Sequence, residues 1–236
     1  MKLLASALLL SLVSSCALFD DTPPIEDYTL CFLVTDQPAA EFSDEVLGTA
    51  MAGHFDNIAR LGREQLLLMA GPLGEPRSDP LHRGIFLFDI DSVEAAEKLV
   101  RTDPAVAAGV FAPRVYPYYS AAPFRELPRL EEESLTRRRL EDPEAEEWVG
   151  RTYVLVSCPD GAGAEAALAH WRDPLVLFSG RLGGELEGTG LFALNLSKVD
   201  EARRVVELAG PGLEWSFHPW WGTQVVEEFA YLPPNN

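Results

Sequence analysis

His54 and Asp103 are the side chains of this chain whose placement best suits proton chemistry. Leu47, Met51, Ile58 and Leu61 mark one face of a helix over Ser43 to Glu64. Adding His54 completes spacings of 4, 3, 4 and 3, so the histidine stands on the buried stripe. A histidine there can serve as a general base of near-neutral pKa. A carboxylate at hydrogen-bond range would fix its tautomer and favour its protonated form. The competing reading is a core histidine satisfied by a backbone carbonyl. Asp103 follows Val93, Ala96 and Val100 at spacings of 3, 4 and 3, which lets its side chain point inward. It also opens Asp103-Pro104 and runs to Gly109, the pattern of an N-cap, a proline at the first helical position and a glycine past the end. A carboxylate has several acceptor sites, so capping and pairing with His54 are compatible. A cap alone is the alternative.

Other candidates are weaker. Tyr116 and Tyr118 alternate with Pro117 and Tyr119 on a strand, so one pair faces the sheet interior, as ordinary aromatic core or as a stacking and hydrogen-bonding wall. Phe124 is a further lining candidate. Four histidines are dispersed, and no H-E-x-x-H or cysteine pair occurs, so no metal is expected. Gly183-Gly184 sits in a strand-connecting loop with no helix after it, and no phosphate loop, GxSxG or dinucleotide fingerprint appears; no cofactor is expected.

The elements that must hold these residues occur twice. The order from Tyr28 to Tyr119 is β-α-β-β-α-β, the ferredoxin-like arrangement. Its strands are Tyr28 to Thr35, Gln65 to Ala70, Gly84 to Ile90 and Val110 to Tyr119, and Asp91 or Ser92 caps the second helix. The stretch from Gly84 recurs from Gly190 at an offset of 190 − 84 = 106, which places Phe86 on Phe192, Val93 on Val199, Ala96 on Ala202 and Val100 on Val206. Asp103 falls on Ala209. Tyr153 restarts the first strand, Ala162 to Trp171 gives a shorter helix, and Leu175 to Gly180 matches Leu66 to Gly71. Phe217-His218-Pro219-Trp220-Trp221-Gly222 matches Val115-Tyr116-Pro117-Tyr118-Tyr119-Ser120, so His218 aligns with Tyr116 and can face a pocket of the second half. His170 aligns with Leu61 rather than His54 and is read as non-catalytic. The expected class is α+β, with tandem ferredoxin-like repeats forming an intramolecular pseudo-dimeric α+β barrel. The expected divisions are residues 1–15, a leader; 16–27, a tether; 28–125, the first unit; 126–150, a charged linker, solvated and part helical; and 151–232, the second unit.

Among 236 residues the 37 acidic against 19 basic give a formal net charge of −18, which repels nucleic acid and anionic headgroups. The start reads as a targeting segment. Met1-Lys2 precedes the apolar run Leu3 to Val13, too short to span a bilayer, and Val13-Ser14-Ser15-Cys16 looks like a bacterial lipobox. Acylated Cys16 would anchor the chain to a membrane, and Ala17 after it favours the outer membrane of the cell envelope, facing the periplasm. A plain cleaved secretory peptide is the alternative. Cys31 and Cys158 fall on the first strand of each repeat at non-equivalent positions, as a disulfide or as two buried thiols.

The first repeat resembles the YCII-related (YciI-like) proteins. The resemblance rests on His54, on Ala70-Gly71-Pro72 seventeen residues on, on Asp91-Ser92-Val93-Glu94-Ala95-Ala96, and on Asp103-Pro104-x-Val106-Ala107-Ala108-Gly109-Val110. It implies small ferredoxin-like domains that pair as dimers, with His54 and Asp103 lining a pocket as a catalytic pair. Gly71 and Pro72 lie beside that pocket by the same resemblance, and His82 lies in the loop near its opening, where a plain surface position is the alternative. Members include a dehydrochlorinase acting on a chlorinated hydroxyhydroquinone. The family pattern has glycine where the first helix ends, whereas Glu64-Gln65 stand here. The function expected is cofactor-independent proton transfer of lyase, isomerase or hydrolase type on a small, cyclic substrate. A non-catalytic envelope lipoprotein that binds a small ligand or a protein is the alternative.

Overall fold

A computed structural model of the chain describes residues 24–36, 42–169, 171 and 175–232. Cys16, the leader and His170 lie outside them. Strand β1 (Glu26–Val34) shows why the strands are apolar on both faces. Tyr28, Leu30, Phe32 and Val34 enter one core, while Cys31 and Leu33 enter another. With β2 (Leu67–Pro72), β3 (His82–Phe88) and β4 (Ala112–Ser120) it makes the first antiparallel half. The second half comprises β5 (Gly150–Cys158), β6 (Val176–Leu182), β7 (Gly190–Leu194) and β8 (Ser216–Thr223). The strands join in the order β2-β3-β1-β4-β6-β7-β5-β8, one sheet of 8 strands curled into a nearly closed barrel.

The two seams repeat each other. At one, Tyr118 pairs with Leu182 and the Gly183 N–H donates to the Pro117 carbonyl at 2.9 Å. At the other, Leu73 bridges Trp220 and the Gly74 N–H donates to the Pro219 carbonyl at 2.7 Å. Each seam needs a glycine. A Cβ on Gly180 would meet the Tyr118 ring at 2.4 Å, and one on Gly71 would meet Trp220 Nε1 at 2.4 Å and the Trp221 carbonyl at 2.1 Å. Gly71 and Pro72 belong to β2 itself and pair with Ile85 and Gly84, so they do not form a turn closing the strand. Proline is tolerated there because β2 is the end strand of the sheet.

Side chains fill the barrel, among them the fully buried Tyr28, Tyr118, Tyr153 and Trp220. The helices lie outside. In the first half α1 (Asp44–Arg63), α2 (Val93–Val100) and the short α3 (Pro104–Ala107) cover one face; in the second, α5 (Gly161–Leu168) and α6 (Val199–Ala209) do so. Ser92, not Asp91, caps α2 through the Ala95 N–H. The segment read as a solvated linker contributes to the core. Its helix α4 (Leu127–Glu141) buries Leu127 and Leu130, and with the preceding Phe124 and a 3₁₀ run over Gln224–Tyr231 it packs into the barrel cluster. A few buried residues in a charged stretch leave no periodic signal, which hid this role. Cys31 and Cys158 are both free and buried, each in the outer core of its own half. Burial pushes the Cys31 thiol up to about 12.

Candidate functional site

Helix α1 starts where the Ser43 hydroxyl accepts the Val46 N–H and carries acidic Asp44 and Glu45 in its first turn. Midway, it crosses α3 at very short range. A Cβ on Gly53 would sit 2.7 Å from the Pro104 ring, so glycine at this position lets the helices touch. The next residue, His54, then reaches the start of α3. Its Nδ1 lies 2.8 Å from Asp103 Oδ2, and both side chains are buried. The two readings of Asp103 are met by different oxygens. Oδ1 accepts the Ala105 and Val106 N–H groups as the α3 cap, at 2.9 and 3.4 Å, while Oδ2 faces His54.

A further residue joins the pair. Asn57, one turn beyond His54, donates to Asp103 Oδ2 at 3.3 Å, and Arg60 holds the Asn57 carbonyl at 2.8 Å. Burial alone would raise the Asp103 pKa. The hydrogen bonds and charge of His54, with the Ala105 N–H and Asn57, outweigh it and hold the carboxyl below its ordinary value. Asp103 is therefore a carboxylate, which only accepts, so His54 carries its proton on Nδ1. Nε2, on the opposite edge of the ring, makes no hydrogen bond among the described residues.

The ring is clamped by aromatics. Phe86 stacks on it at 5.6 Å between centroids, with Phe55 and Phe111 edge-on at 5.5 Å each. Beside it lies a cavity of about 120 Å³ whose walls include Met51, Ile58, Phe111, Gly71, Pro72 and Arg83. Arg83 comes there through a β-bulge. Leu33 pairs with Gly84 and Val34 with His82, which leaves Arg83 as the extra residue of β3. Among the described residues no ion pair neutralises it.

The residues expected at the site divide. His54, Asp103, Gly71 and Pro72 come together. Tyr116, Tyr118 and Phe124 do not: Tyr118 and Phe124 are fully buried in the barrel core and Tyr116 packs against that same core, on the other face of the sheet from His54. His82 also faces the barrel side, stacked on Phe32 at 4.6 Å and facing His218 at 5.3 Å. The second half has only eight residues in α5 against twenty in α1, and among the described residues there no side chain takes the place of His54. Arg83 and Asn57 were missed from sequence. A polar residue one turn after His54 was a visible signal for Asn57; a bulge at Arg83 was not.

Compared with known protein families, residues 29–118 match the YCII-related domain. This part of the chain is a YCII-related domain. Its matched span contains both members of the pair, from β1 through most of β4, and ends before the second half that completes the barrel. No curated protein and no solved structure matches the chain. Among the described residues no group of three or more histidine, cysteine or acidic side chains is placed to hold a metal ion. What the YCII-related domain offers chemically is an imidazole with an open Nε2, an anion fixing its tautomer, and an arginine, Arg83, lining the same apolar cavity.

Proposed function

We propose that the YCII-related domain is an acid–base enzyme in which His54 Nε2 takes a proton from a small substrate and returns it, in a lyase, isomerase or hydrolase reaction. The observation that carries this is the buried His54–Asp103 contact of 2.8 Å with Nε2 left open beside a cavity. Asp103 favours the imidazolium formed on proton uptake. Arg83 would stabilise the oxyanion left on the substrate, a role for which an apolar surrounding strengthens the charge. The cavity of about 120 Å³ is close to the ~150 Å³ that holds one benzene, so the reacting part of the substrate is about one ring in size. By the sequence reading, Cys16 anchors the enzyme to the envelope, probed by radiolabelled palmitate uptake and its loss in Cys16→Ser.

The test is a screen of small cyclic hydroxy and keto compounds for enzyme-dependent solvent deuterium incorporation. Exchange should occur with the native chain, vanish in His54→Gln and fall in Arg83→Gln, with the melting temperature of each variant close to native. Unaltered exchange in folded His54→Gln would refute the assignment.

A further inference from the structure

The His54 cavity has a thin wall. Pro72 lines it, and Pro72 also lines a larger cavity of about 520 Å³ on the far side, together with Pro219, Trp221, Thr152 and Lys198 of the second half. Gly71, at the same wall, abuts the Trp221 backbone so closely that a Cβ would lie 2.1 Å from its carbonyl oxygen. At the other seam a cavity of about 310 Å³ is lined by Gly180, Arg181, Phe192 and Tyr119, the counterparts of Gly71, Pro72, Phe86 and Trp221.

We infer that the substrate extends past Pro72 and that Trp221, from the second half, stacks on its distal part and sets specificity. This rests on the reading of His54 as the group that meets the substrate's head. Trp221 is 45% exposed, and both it and Trp148 crowd Gly150, where a Cβ would lie 2.7 Å from Trp221 Nε1 and 2.3 Å from the Trp148 ring. A partly exposed indole at the wall of a cavity suits a flat ring. The charges of the cavity select against an anion: Lys198 is engaged by Glu201, Glu75 by Arg77, and Asp200 adds a negative charge. The ligand class is therefore a ring-sized head bearing an acidic O–H, joined to a flat neutral ring.

The test uses two probes on the full chain, phenol for the head alone and 4-phenylphenol for head and distal ring, with affinities from calorimetry. The distal ring should tighten binding about tenfold, the scale of one stacking contact. Trp221→Ala should erase that gain and leave phenol binding unchanged, while Trp221→Phe should keep most of it. His54→Ala should weaken both probes and preserve their ratio. An unchanged ratio in Trp221→Ala, or no binding of 4-phenylphenol, overturns the subsite. If His54→Ala leaves both affinities intact while the ratio still depends on Trp221, the subsite stands and the role given to His54 falls.

Discussion

Asp103→Asn separates the two tasks of that carboxylate, because asparagine has one acceptor oxygen where the structure uses two. With the oxygen kept toward α3, the Ala105 and Val106 N–H groups stay satisfied. The amide NH₂ then faces His54 Nδ1 and the Asn57 NH₂, so His54 must move its proton to Nε2 and Asn57 loses an acceptor. With the oxygen turned to His54, the cap is lost instead. The first arrangement forfeits a charge-assisted hydrogen bond, about 1.5–3 kcal/mol, and the second a cap, about 1 kcal/mol plus the cost of opposed donors. Either way the loss at neutral pH is roughly 2 kcal/mol, small enough for the variant to fold. Urea titration reads the loss, and long-range ¹⁵N–¹H spectra of the imidazole read the proton. Native His54 should show Nδ1–H, and the variant an increase in Nε2–H. The stability gap should also close in acid. A carboxyl whose folded pKa is depressed stabilises the fold above its unfolded value of 3.8 and loses that contribution as the pH falls through and below it. An unchanged urea midpoint together with an unchanged tautomer would refute the view that Asp103 holds the ring.

Gln65, just past α1, has φ of 56°, the left-handed region that favours glycine. Gln65→Gly should therefore raise stability by about 1 kcal/mol, or Tm by roughly 2–4 °C, and a calorimetric scan checks it. His218 is lowered to about 4 by burial and by His82, which is itself lowered by burial. Between pH 6.5 and 4 the unfolded chain takes up the His218 proton first, so stability should fall by up to ~1.4 kcal/mol per pH unit on that account, with His82 acting in the same direction below 6.5, and His218→Gln should flatten the slope of urea midpoint against pH. Gly71→Ala and Gly180→Ala should each cost about 1–3 kcal/mol by driving a methyl into Trp220 or Tyr118; equal stability to native in both would show that the seams can yield.

The parts of the site that follow local periodicity were legible in the sequence. His54 declared itself by its place on the α1 stripe, and Asp103 by the cap pattern before Pro104. The tandem units were legible because Val93, Ala96 and Val100 have counterparts in Val199, Ala202 and Val206, all but the first of them buried on the same helix face. What sequence left undecided is which face of a strand meets which neighbour. Tyr116 and Tyr118 share a face by alternation, yet nothing local says that this face turns into the barrel while His54 lies outside. Arg83 depends on a bulge, which shifts the alternation that a strand pattern assumes. Leu127 and Leu130 plug the barrel from within a charged helix, where a mean over residues conceals two buried positions.

The connection through α4 makes the two halves one covalent molecule. Association of separate subunits weakens on dilution, but two halves joined in one chain meet at a concentration set by the connection alone. A change to a symmetric homodimer also appears twice, once in each subunit. Here one copy can shed a helix turn or an acid while the other retains it, and Tyr118 and Trp220 can hold corresponding seams with different rings. The freedom to be unequal, which lets Trp221 face one cavity and Tyr119 another, is a property of the single gene product and not of the barrel.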